Sequence, residues 1–140
     1  MTDSDLVAKK LAFIETCVQE LRTLARPELI DIDVREERFV EHTLQLAVQA
    51  IIDVASHIVS DDRLGEPKTN YELFDLLRKA GWIDDEQRAV MRRMAGFRNL
   101  VVHGYMAVDL GVVKTILARH LDDLLAFVRV VRAKLPPDDA

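Results

Sequence analysis

Between residues 98 and 105 the chain sets Arg98, Asn99, His103 and Tyr105 around the apolar trio Leu100-Val101-Val102. No nucleophilic serine or cysteine and no pair of carboxylates stands beside them, so the chemistry best suited to this set is one whose substrate brings its own nucleophile. Attack of a ribose 2′-OH on the adjacent phosphodiester is such a reaction. His103 can take the hydroxyl proton or give one to the leaving 5′-oxygen, because an imidazole titrates near neutrality. Arg98 can clamp the non-bridging oxygens as charge builds, and its planar fork does so better than a lysine would. No metal is required.

Geometry qualifies this reading. Asn99 and His103 are four apart, neighbours on a helix, so the amide is placed to fix the orientation and tautomer of the imidazole. Arg98 lies five before His103, about 140° away around an ideal helix. The two converge through the reach of the arginine, through fraying before Gly104, or through a second copy of the site. Spacing alone leaves another reading open, in which Arg98 is a solvated helix residue and His103 a capped or buried one.

These residues need helices to hold them, and the apolar spacing supplies five. Val7, Leu11, Ile14, Val18, Leu21 and Ala25 form the stripe of a first helix that Pro27 ends. The charged run Arg35-Glu36-Glu37-Arg38 precedes a second, long one with its stripe at Val40, Leu44, Ala47, Ile51, Val54 and Ile58. Phe39, Leu46, Val48, Ile52 and Ala55 extend its apolar cover beyond one face, as for a central helix or an oligomer contact. A polar loop around Gly65 leads to Thr69-Asn70-Tyr71-Glu72, which has the order of a capping box, and to a short helix that Gly81 closes. Asp84-Asp85-Glu86 opens the fourth helix, with Val90, Met91, Met94, Phe97, Leu100 and Val101 on its buried side, and Gly104 is its stop. Asp109 caps a last helix whose stripe, Val113, Leu117, Leu121, Leu124, Val128, Val131 and Leu135, runs almost to Pro136-Pro137. The expected architecture is an all-α, up-and-down bundle of about five helices in one domain, residues 1–135, with a frayed tail at 136–140.

Composition agrees and sets exclusions. The 140 residues are 49% hydrophobic and 31% charged, with five glycines and four prolines, which favours helices over a sheet sandwich. A chain of this length hides roughly two-thirds of its unfolded surface, enough for a core without disulfides. The single Cys17 can form no intrachain disulfide, and the four histidines do not give the spacing of a structural zinc site. An acidic N-terminus and no apolar run near the roughly 20 residues of a bilayer span point to a cytoplasmic protein without membrane attachment. Net charge is −5, which argues against broad coating of nucleic acid and leaves RNA contact to local cations such as Arg88, Arg92, Arg93 and Lys114.

Other polar residues carry weaker signals. Asp53 and His57, four apart on the second helix, can share a face as metal ligands, as polar groups behind the catalytic histidine, or as a buried hydrogen-bonded pair or solvent-facing residues. Two ligands do not make a metal site. Arg92-Arg93 is either a solvated face or a phosphate-steering patch. His42 and His120 read as surface or boundary residues, Cys17 as a core filler, and Trp82 as a cover for the end of the bundle.

Arg98, His103 and Tyr105 reproduce the Arg-x4-His-x-Tyr motif of HepT-like toxins within the HEPN superfamily, which also favours a residue such as Asn99 after the arginine. Residues 37–45 and 52–58 resemble that family's second helix. Asn70-Tyr71-Glu72-Leu73-Phe74 and Met94-Ala95-Gly96-Phe97-Arg98-Asn99 continue the likeness, which covers about residues 5–133. The resemblance implies a side-by-side homodimer with Arg98 and His103 of both copies facing a shared cleft. It implies a metal-independent RNA endonuclease without cofactor, acting as the toxin of a type VII-like toxin–antitoxin pair. The partner would be a minimal nucleotidyltransferase antitoxin that silences the toxin by adding AMP to the motif tyrosine, here Tyr105. A catalytically idle HEPN-type module that binds nucleotide, RNA or a protein partner is the alternative.

Overall fold

Short acidic caps decide where the helices begin. In the computed structural model, which describes residues 3–103 and 108–135, α1 (Ser4–Leu24) starts three residues before Val7, the first position of its stripe, because the Asp3 carboxylate accepts from the Leu6 amide. After a 3₁₀ turn at Pro27–Leu29, Asp33 caps α2 (Val34–Asp61) at the Arg35 amide. The charged run at 35–38 therefore belongs to the helix, with Glu36 and Glu37 in its first turn, where the dipole favours them. The capping box forms as the sequence predicts and starts α3 (Asn70–Lys79), with Gly81 just past the end at φ +84°. Asp84 and Gln87 make a second reciprocal pair ahead of α4 (Asp85–His103): each side chain accepts from the other's backbone amide, at 2.7 and 3.0 Å.

Polar pairs along the seams show the helices running up and down. Lys10 meets Asp53, and the Arg26 amide meets Glu36, so α1 and α2 are antiparallel. Asn99 with Tyr71, Arg92 with Asp75 and Arg78 with Asp85 give the same sense to α3 and α4. These exposed or half-exposed pairs fix register more than they stabilise, at about 0.2–1 kcal/mol each.

The core is apolar and closed. Its α1 stripe is buried as spaced at Val7, Leu11, Ile14, Val18 and Leu21, with Cys17 beside it at 2% exposure, whereas Ala25 lies past the helix end and is half-buried. Burial, and secondarily Glu20, pushes the Cys17 thiol up to about 11, so it is held as an unreactive thiol. α2 packs against α1, α3, α4 and α6 of its own chain, which accounts for the burial of Val48, Ile52 and Ala55, while Phe39 is half-buried and Leu46 stays exposed. By length and composition α2 would also suffice to cross a membrane, contrary to the expectation from apolar runs, but 61% of its most apolar window is buried inside the protein. Phe74 of α3 meets Phe127 edge-to-face, ring centroids 6.5 Å apart. Trp82 is half-buried at the bundle end, with the Lys134 ammonium 4.6 Å from its ring centroid.

The last helix departs from the sequence pattern. The stripe from Val113 to Leu135 predicts one continuous helix, but the chain breaks at His120 (φ −118°, ψ 1°) into α5 (Leu110–Arg119) and α6 (Leu121–Lys134). Among the described residues six α-helices result and no strand occurs. Neither glycine nor proline marks the break. The two halves have different neighbours: α6 follows α1 antiparallel, tied by Arg132–Glu15 and Arg22–Asp122, while α5, with Val113 and Ile116 buried, shares a pocket with α4. His120 closes the joint by bonding Asp123 through Nδ1 at 2.8 Å.

Candidate active site

α4 stays helical to His103, so the fraying that would bring Arg98 and His103 together does not occur before that residue. Both nevertheless line one open cleft of about 820 Å³, walled by Asn70 and Tyr71 of α3, by Arg93, Gly96, Phe97, Asn99 and Leu100 of α4, and by Val108, Asp109 and Val112 around the start of α5. His103 is exposed at the helix end. Arg98 is half-buried, and its Nε has no hydrogen-bond partner among the described residues. Tyr105 lies outside the described residues.

Asn99 does not orient His103. Its Oδ1 accepts from Arg98 Nη1 at 3.1 Å and its Nδ2 donates to Tyr71 Oη at 3.2 Å, so the amide serves the arginine instead. The sequence reading missed Tyr71 as a residue of this cleft. A local signal existed in the Thr69–Glu72 capping box, which sets the phase of α3, but the pairing with Asn99 spans 28 positions and leaves no periodic trace.

The arginine pair divides. Arg92 is committed: its Nη1 donates to Asp75 Oδ2 at 2.6 Å, and its guanidinium sits 5.5 Å from the Tyr71 ring centroid. It is therefore a brace between α3 and α4 and not a free phosphate-steering cation. Arg88 also faces Asp75 and Asp85, both at 3.9 Å, and Lys114 pairs with Asp31. Arg93 is exposed, lines the cleft and forms no ion pair among the described residues.

Asp53 and His57 stand apart from the cleft. Asp53 receives Lys10 Nζ at 3.2 Å and Gln49 Nε2 at 2.9 Å, on the α1 side of α2, and neither Asp53 nor His57 lines the cleft. The buried α2 stripe turns Asp53 toward Lys10 of α1, while His57, one turn on, is half-buried. No cluster with metal-binding composition occurs among the described residues. On the other side of α4, Glu41 faces Glu37, Arg38 and His42. Burial and the neighbouring Glu37 hold its carboxyl above the usual range.

Residues 14–131 match the family model described as Ribonuclease HepT-like. The chain belongs to the HepT-like ribonuclease family. It is similar to the mRNA nuclease HepT of Shewanella oneidensis, 28% identical over 132 residues, covering 94% of this chain and 99% of the relative. A tRNA nuclease HepT of Aphanizomenon flos-aquae is 31% identical over 100 residues, 71% of this chain and 68% of the relative. Among solved structures, the tri-AMPylated Shewanella oneidensis HEPN toxin in complex with MNT antitoxin superposes with a TM-score of 0.87 at 28% identity, covering 96% of this chain and 100% of that one. The all-α HEPN architecture expected from the sequence is the one found.

Proposed function

We propose that this HepT-like chain is the toxin of a type VII-like toxin–antitoxin pair, a metal-independent RNA endonuclease of the cytoplasm. The observation that carries the reading is the lining of one open cleft by Arg98 and His103. In the reaction the ribose 2′-oxygen forms a bond to phosphorus and the bond from phosphorus to the 5′-oxygen breaks. The products are a 2′,3′-cyclic phosphate and a free 5′-hydroxyl. His103 takes the 2′-hydroxyl proton or supplies the proton that the 5′-oxygen gains, and Arg98 holds the non-bridging oxygens. Arg93, at the rim, steers the RNA backbone. The nuclease names of the relatives support RNA, messenger or transfer, as the substrate class.

A side-by-side homodimer across this face completes the proposal. Leu100 and Val112, two apolar side chains of the cleft wall, are each 47% exposed, and a second copy would cover them. The partner that silences the toxin is a nucleotidyltransferase, as in the AMPylated HEPN toxin complex. The Tyr105 phenol oxygen attacks the α-phosphate of ATP, pyrophosphate leaves, and AMP remains on the tyrosine. Its anionic phosphate, on a residue two positions from His103 in the sequence, then repels and blocks RNA.

Expression of the chain alone is expected to arrest growth, and co-expression of its nucleotidyltransferase to relieve the arrest. Intact-mass analysis of the chain after incubation with that enzyme and ATP should show whole AMP increments, absent from Tyr105→Phe. An undiminished adduct on Tyr105→Phe removes Tyr105 as the acceptor, and growth unaffected by the chain removes the toxin assignment.

A further inference from the structure

We propose that Tyr71 is a positioning residue for Arg98, acting through Asn99. The inference rests on the ribonuclease reading above and extends it to a residue of another helix. A guanidinium can only donate hydrogen bonds, so the atom of Asn99 facing Arg98 Nη1 must be the carbonyl oxygen, and the amide nitrogen must point the other way. That nitrogen ends 3.2 Å from Tyr71 Oη, which accepts from it. The phenol thus holds the amide in the one orientation that serves the arginine. Because Arg98 Nε has no partner among the described residues, the bond to Asn99 is the guanidinium's described anchor.

Tyr71 is itself fixed from two directions. Arg92 Nη1 donates to its carbonyl oxygen at 3.4 Å while the same guanidinium, held by Asp75, lies over its ring. The hydroxyl passes close to Gly96, where an added Cβ would stand 3.5 Å from it, so the phenol lies against the backbone of α4 two residues before Arg98. The sequence Asp75, Arg92, Tyr71, Asn99, Arg98 forms a continuous polar chain from the α3–α4 seam to the cleft. An arginine that must meet a phosphoryl group in a fixed geometry loses rate, more than ground-state binding, when such a support is removed.

The test is single-turnover cleavage of an RNA substrate by the full-length, unmodified chain. Tyr71→Phe keeps the ring under Arg92 and removes the hydroxyl alone. It is expected to lower the maximal rate about tenfold, equivalent to about 1.4 kcal/mol, with KM and the melting temperature unchanged. In an Asn99→Ala background the same change should cost nothing further, because the link is already broken. Full activity in Tyr71→Phe, or losses that multiply with those of Asn99→Ala, would overturn the proposal. Arg98→Ala in the same assay separates the two levels: if it abolishes cleavage while Tyr71→Phe does not slow it, Tyr71 alone is misassigned. If wild type cleaves nothing, the ribonuclease reading falls, and the positioning claim is decided by the NMR signal of the Arg98 Nε–H. That signal should move in Tyr71→Phe, and an unmoved signal rejects the claim.

Discussion

Substituting His103 by alanine is expected to slow RNA cleavage by about 10²–10⁴-fold, the usual worth of a positioned general acid or base. Arg98→Ala should cost about 10²–10³-fold, as for removal of a group aimed at developing transition-state charge. Arg98→Lys should recover little of it, because Asn99 and a phosphoryl group together ask for a planar fork and a lysine offers a single point charge. Folding should survive all three changes, since His103 is exposed and Arg98 only half-buried, outside the apolar core. Circular dichroism and size-exclusion profiles matching wild type would show that the lost rate is chemical. Cleavage persisting in both alanine variants would contradict the roles given to these residues.

The largest expected loss of stability comes from Phe74→Ala. Phe74 is 1% exposed and packs edge-to-face on Phe127, so it joins the short α3 to α6. Truncating such a side chain costs about 3–5 kcal/mol, from lost burial plus the cavity left behind. Against a native stability of about 5–15 kcal/mol this is a large fraction. Thermal melting should fall by roughly 10–15 °C for a domain of this size. Phe74→Leu retains most of the volume and should fall much less. Because α3 also carries Tyr71 to the cleft, Phe74→Ala is expected to lose cleavage below its own melting temperature. A midpoint within about 2 °C of wild type would mean that α3 does not pack through this residue.

The helices were legible because the features that specify them are local. The Thr69–Glu72 box caps the helix it was expected to cap, Asp109 caps the first half of the helix expected after it, and the α1 stripe is buried from Val7 to Leu21 as its spacing indicates. The break at His120 was not legible, since a stripe records burial and carries no information on which neighbour each half packs against. In the site, the placement of Arg98 and His103 on one helix was readable, whereas the cleft that both line is walled by α3 and the start of α5. The allegiance of Asn99 depends on Tyr71, and the loss of Arg92 to Asp75 depends on how α3 crosses α4. Both are products of tertiary packing. Asp53 shows the same limit: its spacing to His57 was readable, but its rotation toward Lys10 was set by the core.

The most direct test of the central claim is incubation of total RNA and tRNA with the purified, unmodified chain in EDTA, followed by analysis of the product ends. Cleavage should resist EDTA, require His103, and leave 2′,3′-cyclic phosphate and 5′-hydroxyl ends. No cleavage by the folded chain, or cleavage that returns only with added magnesium and leaves 5′-phosphates, would contradict it. A folded chain that binds RNA without cutting it would instead be a HEPN-type binding module.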